Sequence, residues 1–147
     1  MERNIVHGSF TVERTFDTPV AQVYAAFADK TSKEKWFKGP DGAQSEHTMD
    51  FRPSGRESNS GAFHGAIHRF EATYYDIVPK ERIVYAYEMY LNDKRISVSL
   101  TTITFEDIDG HTRLQLHEDG VFLDGLDGPE IREQGTNGLL EALAATL

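Results

Sequence analysis

The chain has 147 residues, 39% of them hydrophobic and 27% charged, which suits one folded domain and leaves no room for two full cores. Lys plus Arg number 15 against 24 Asp plus Glu, a net charge of -9 that argues against nucleic acid or an anionic membrane surface as a partner. Cysteine is absent, so disulfides, thiolate zinc sites and cysteine nucleophiles are excluded.

The residues after Met1 lack the apolar core of a signal peptide and no apolar run reaches membrane-span length, so a cytoplasmic location is expected. Phe10, Val12, Arg14 and Phe16 alternate with polar residues and predict a first strand. Thr18 is the expected cap and Pro19 the first-turn residue of a helix carrying Val20, Val23, Tyr24 and Phe27 on one face. Thr31 or Ser32 is expected to cap a second short helix that holds Trp36 and Phe37, with Gly39-Pro40-Asp41-Gly42 ending it.

Strand signals run from His47 to His117. His47, Met49 and Phe51 share one face, and Pro53-Ser54-Gly55 turns the chain. Gly55 to Ser60 is polar and weak as a strand, whereas His68 to Val78 and Arg82 to Leu91 are strong. Arg95 to Asp107 and His111 to Glu118 follow, joined by the hairpin turn Asp109-Gly110. A turn at Pro79-Lys80 places Tyr74 opposite Tyr85, Ala72 opposite Tyr87 and Phe70 opposite Met89. A turn at Asp93-Lys94 places Met89 opposite Val98 and Tyr87 opposite Leu100, and the last hairpin sets Phe105 opposite Leu114 and Ile103 opposite Leu116. The apolar phase then slips between Leu100 and Ile103, so a β-bulge is expected near Thr101-Thr102. Pro129 opens a final helix with Ile131, Gly135, Gly138, Leu139, Ala142, Leu143 and Thr146 on one face. The expected architecture is α+β: a curved antiparallel sheet of six or seven strands wrapped on a long C-terminal helix.

Four segments in this order resemble the family of proteins similar to the activator of heat-shock protein 90 ATPase. They are Trp36-Phe37, the strand-turn-strand run Thr73 to Tyr85 around Pro79-Lys80-Glu81-Arg82, His117 to Phe122, and Gly135 to Leu143. The resemblance extends from about Phe10 to Leu147. It implies a single START-like (SRPBCC, helix-grip) domain over 1–147, ordered from about residue 8, with an apolar cavity between sheet and terminal helix. Members bind lipids, hormones or polyketides, and a minority catalyse reactions on them. Thr136 stands where many members carry Trp, and the polar strand Gly55 to Ser60 departs from the usual pattern. The eukaryotic co-chaperone's additional N-terminal domain has no counterpart in this sequence, so its role is not carried over.

His47, His64 and His68 invite a metal reading, but His64 and His68 in one strand would stand roughly 13 Å apart, too far to share an ion. The acidic stretch Asp119, Asp124, Asp127 and Glu130 lacks the spacing of a calcium loop and reads as solvated loop before a helix N-terminus. No metal and no cofactor are expected. Gly-rich phosphate loops and the serine nucleophile elbow are missing too.

His68 and Tyr87 share the inner face by parity and are the candidate acid-base groups, against the alternative of core residues with a satisfied polar tip. The expected ligand wall comprises Trp36, Phe37, Met49, Phe51, His68, Phe70, Tyr74, Tyr85, Tyr87, Leu100, Thr102, Leu116, Gly135, Asn137, Gly138, Leu139 and Ala142. Trp36 and Phe37 are expected near the mouth. A solvent-facing Gly138, or side chains packed solid between helix and sheet, would overturn the ligand-binding reading and leave a compact interaction domain. The function expected is binding of a small apolar or amphipathic molecule, with an enzyme of cyclase, dehydratase or hydrolase type as the alternative and a protein-interaction or co-chaperone-like domain as the third. No nucleic acid or membrane partner is expected, and a homodimer through a weak strand near the sheet edge is compatible with the sequence.

Overall fold

A computed structural model describes residues 2–38 and 44–147; the expected helix stop at Gly39-Pro40-Asp41-Gly42 lies outside the described residues. The elements run β1 (Ile5–Phe16), α1 (Val20–Ala28), α2 (Lys30–Lys33), β2 (Gln44–Met49), β3 (Arg56–Phe63), β4 (Ala66–Val78), β5 (Arg82–Leu91), β6 (Lys94–Ile108), β7 (His111–Leu123) and α3 (Pro129–Thr146). The seven strands form one antiparallel sheet in the order β1-β7-β6-β5-β4-β3-β2. α3 packs across its inner face and α1 and α2 close one end, a helix-grip α+β fold. The weak strand is β3, one in from the edge and paired on both sides, so the edges are β1 and β2.

Local chemistry accounts for the elements. Along β1 the inward residues Phe10, Val12 and Phe16 are buried, while Arg14, in the same phase, reaches Asn137 on α3. α1 starts after Pro19 with no side-chain cap, so Thr18 is not the cap. α2 is capped by Asp29, not by Thr31 or Ser32: its carboxylate accepts from the Ser32 amide at 3.0 Å and the Ser32 hydroxyl at 2.9 Å. Asp109 and Gly110 both take positive φ, 54° and 88°, as the two-residue turn between β6 and β7 requires.

The β4–β5 register is the expected one, with Tyr74 opposite Tyr85, Ala72 opposite Tyr87 and Phe70 opposite Met89. It arises through two compensating departures. The turn holds three residues, Pro79-Lys80-Glu81, since Val78 pairs with Arg82, and an extra residue at Tyr75 restores the phase. The β5–β6 register is a correction. The turn is Asn92-Asp93, the irregularity falls at Ile96 instead of Thr101-Thr102, and Met89 faces Ser97, Tyr87 faces Ser99 and Tyr85 faces Thr101. That one-residue difference turns every side chain over. Val98 and Leu100 are 39% and 47% exposed on the outer face, and Ser97, Ser99 and Thr101 are buried on the inner one. The β6–β7 pairs, Phe105 with Leu114 and Ile103 with Leu116, are as expected.

The closed part of the core gathers Phe10, Val12, Phe16, Val23, Phe27, Ile103, Phe105, Leu114, Leu140 and Leu143. A smaller cluster of Phe70, Ala72 and Tyr87, edged by Phe37, Tyr85 and Met89, lies farther along the sheet. Phe37 and Tyr85 pack against both clusters and join them.

Candidate functional site

A cavity of about 460 Å³ lies between the sheet and α3. α1 contributes Phe27 and α2 Lys33, while Trp36, Phe37 and Lys38 come from the turn after α2, which ends at Lys33 and does not hold the two aromatics as expected. β3 and its neighbour β4 add Asn59, Gly61, Phe63, His68 and Phe70. Tyr85, Tyr87 and Met89 enter from β5, and Leu116 and Glu118 from β7. α3 covers it with Arg132, Gly135, Thr136, Leu139 and Leu140. The volume lies within the roughly 300–1,000 Å³ usual for small-molecule sites, and the walls are mostly apolar.

Of the residues expected from the sequence, Trp36, Phe37, His68, Phe70, Tyr85, Tyr87, Leu116, Gly135 and Leu139 stand on this wall. The others do not. Tyr74 is buried in the closed core, and Phe51 packs edge-on against it with ring centroids 5.0 Å apart. Met49 sits opposite Glu57 toward the β2 edge, beyond the cavity. Leu100 is exposed on the outer face, and Thr102 lies on that same face, opposite in phase to the inward Thr101. Asn137 is taken by Arg14 of β1. Gly138 and Ala142 are exposed, and a Cβ placed on Gly138 would meet nothing within 4 Å. Gly138 thus faces solvent, the outcome expected to overturn ligand binding; that expectation is misplaced, because it assumes that Gly138 makes the room, and the cavity is formed without it. α3 is rotated so that Leu140 and Leu143 face the core, and Gly135 alone of the two glycines borders the cavity. Trp36, expected at the mouth, is only 4% exposed, with its indole N–H donating to the Ala26 carbonyl at 3.0 Å.

Two buried carboxylates that the sequence reading did not single out organise the polar chemistry. Glu57 of β3, 1% exposed, accepts from Lys33 Nζ at 2.7 Å and from the Tyr74 hydroxyl, and its other oxygen lies 2.7 Å from His47 Nε2. Burial pushes its carboxyl up, but the Lys33 charge and the surrounding hydrogen bonds more than offset that and hold it at about 2. Lys33, whose ammonium also lies 4.5 Å from the Phe37 ring, is driven below the usual lysine range by burial despite Glu57. This group pins α2 to β2, β3 and β4 at one end of the cavity.

Glu118 of β7, 2% exposed, borders the other end. Its oxygens accept from the Tyr87 hydroxyl at 2.7 Å and the Thr101 hydroxyl at 2.9 Å. Burial raises its carboxyl above the ordinary range although those bonds and the Arg132 charge oppose the rise. Tyr87 is raised in turn by burial and by Glu118, so it remains a protonated donor. Arg132 Nε donates to Asp127 Oδ1 at 3.1 Å, and the Gly128 amide donates to the same oxygen at 2.9 Å. Asp127 is therefore buried structure, 8% exposed, in contrast to the solvated-loop expectation. Strand parity carried a signal for Glu118: it continues the inward series Leu114, Leu116 on β7. Arg132 carried one too: it stands three residues before Gly135 and seven before Leu139, on the same face of α3.

His68 is exposed at the cavity wall, His64 lies in the β3–β4 turn with φ 52°, and His47 is bound to Glu57. Among the described residues no group of three or more His, Asp or Glu could hold a metal ion, and no helix is long and apolar enough to cross a membrane.

An antiparallel sheet gripping a terminal helix over an apolar-walled cavity defines a START-like, helix-grip protein. The chain belongs to the family described as Activator of Hsp90 ATPase homolog 1-like protein, whose pattern it matches over residues 17–147. It is similar to a putative uncharacterized protein from Rhizobium leguminosarum, with 40% identity and TM-score 0.94 over 99% of this chain and 97% of that one. It is also similar to a protein from Rhizobium loti, with 42% identity and TM-score 0.90 over 98% and 99% of the two chains. A protein from Chromobacterium violaceum follows at 27% identity, TM-score 0.78, covering 93% and 94%. No curated protein matches the chain.

Proposed function

We propose that this chain binds a small apolar or amphipathic molecule in the cavity beneath α3. The carrying observation is the cavity itself: about 460 Å³, walled mainly by aromatic and aliphatic groups, with polar side chains at its two ends. Those polar groups are fixed by hydrogen bonds to neighbouring elements, which supports recognition of a ligand with an apolar body and few polar atoms. The enzyme reading draws on one observation, the Glu118–Tyr87 pair on the wall, an acid-base couple in form. His68 has no part in that couple.

The test uses the two helix glycines. A Cβ at either Gly135 or Gly138 would meet nothing within 4 Å, but only Gly135 borders the cavity. Gly135→Leu is expected to fill space and abolish binding, while Gly138→Leu leaves it intact. Binding is followed by Trp36 fluorescence and by native mass spectrometry of molecules that co-purify with the protein. Equal binding by both variants would refute the site. Turnover of a bound molecule that Glu118→Gln eliminates, with binding retained, would favour the enzyme.

A further inference from the structure

Four charged side chains line the cavity, Lys33, Lys38, Glu118 and Arg132, and of these Lys38 is exposed. Lys33 is matched by Glu57 at 2.7 Å and Arg132 by Asp127 at 3.1 Å. Glu118 receives only the neutral hydroxyls of Tyr87 and Thr101, and among the described residues no cation stands within ion-pair distance of it. Two buried carboxylates, Glu118 and Asp127, thus draw on one guanidinium, and Asp127 Oδ2 has no partner among the described residues. Beside Glu118 and Asp127 a ligand carboxylate would add negative charge in a region of low dielectric, whereas a ligand cation would be matched by the ionised Glu118 carboxylate.

The apolar wall points the same way. Tyr87, whose hydroxyl bonds Glu118, lies 4.9 Å from Phe70, and Phe70 meets Phe37 edge to face at 4.9 Å, so a run of rings leads from Glu118 toward the Lys33 end. Their faces carry the negative side of the ring quadrupole and attract cations. The net charge of -9 draws cations rather than anions toward the molecule.

Resting on the reading of this cavity as a ligand site, we infer that it is built for an apolar molecule bearing one cationic amine, with the Glu118 carboxylate as counter-ion and the aromatic rings receiving the body. The groups facing Glu118 are Tyr85 and Tyr87 from β5, Ser99 and Thr101 from β6, Phe10 from β1 and Arg132 from α3. Arg132 is the one cation among them, and it is already committed to Asp127. Burial favours the protonated form of Glu118; an adjacent ammonium favours the ionised one, so binding releases a proton to solvent wherever the carboxyl was protonated.

The experiment compares phenylbutylamine, phenylbutanol and phenylbutanoate, one skeleton with three heads, by calorimetry on the full chain at about pH 7. The amine is expected to bind roughly tenfold tighter than the alcohol, and the carboxylate weakest. Glu118→Gln should remove the amine's advantage while alcohol affinity stays within about twofold, since Gln still bonds Tyr87 and Thr101. Should that variant not fold, the native chain gives the same answer by acidification. As Glu118 takes up its proton, the amine's advantage is expected to fall at least twofold between about pH 8 and about pH 4.5. An unchanged advantage overturns the inference. Alcohol binding without preference for the amine, or a carboxylate that binds best, overturns it and leaves the cavity reading standing. No binding of any of the three, with Gly135→Leu also displacing no co-purified molecule, overturns both.

Discussion

Replacing Lys33 by Met isolates what the buried ion pair contributes. In the native chain the fall of the Glu57 carboxyl from 4.5 to about 2 corresponds to roughly 3 kcal/mol in favour of the ionised form. The two ends of the pair disagree in sign, because burial lowers Lys33 and so part of that gain is spent keeping its ammonium charged. We weight the carboxylate end, which retains hydrogen bonds to His47 and Tyr74, and expect a net loss of about 2 kcal/mol at neutral pH for Lys33→Met, below the roughly 3–5 kcal/mol of a fully orphaned buried charge. For a chain of this length that is about 4–8 °C in Tm. The pH dependence has a definite sign. A carboxyl whose folded value lies below its unfolded one adds stability that is complete above about 4.5 and is lost as pH falls toward about 2. Without Lys33, burial moves the folded value up, and protonating Glu57 then relieves the variant. Urea titrations of both proteins at about pH 7 and about pH 3 are expected to show a gap that narrows on acidification. A gap that widens at low pH, or none at neutral pH, refutes this account of Glu57.

Register and packing are tested by pairs of substitutions. Leu100→Ser, on a residue 47% exposed, should change stability by less than about 0.5 kcal/mol, whereas Ile103→Ala, 1% exposed, should cost about 3 kcal/mol in chemical denaturation. Phe70→Ala borders space that is already open, so about 2–3 kcal/mol is expected instead of the 3–5 kcal/mol of a closed core. Gly135→Leu and Gly138→Leu both replace glycine inside a helix with open space around the new Cβ, and each should raise Tm, the gain being about 0.5–1 kcal/mol.

The fold was legible where hydrophobic phase and turn chemistry agreed. Asp109-Gly110 and the alternation through Ile103, Phe105, Leu114 and Leu116 gave the last hairpin its register. The β4–β5 register came out right although its turn is one residue longer than expected, because Tyr75 bulges by one. β6 misled for a physical reason. Its inward residues after the irregularity at Ile96 are Ser97, Ser99 and Thr101, and its apolar Val98 and Leu100 face out, so a rule that sends apolar groups inward picks the wrong face. The same preference hid Glu57 and Glu118, which read as surface charges until the fold supplies Lys33, His47, Tyr74, Tyr87 and Thr101 as partners.

Why the interior stays open follows from how α3 is held. Leu140 and Leu143 are 2% and 0% exposed in the closed core beside Phe10 and Val12, which fixes the C-terminal half of the helix. The N-terminal half carries Arg132, Gly135 and Thr136 toward the sheet, and none of these fills space as Leu does. Closing the gap would require pulling Arg132 from Asp127 or Tyr87 from Glu118, each leaving a buried polar group without its partner. The polar contacts at the helix N-terminal end therefore act as struts. They hold the N-terminal half of α3 off the sheet, and the cavity is the volume beneath it.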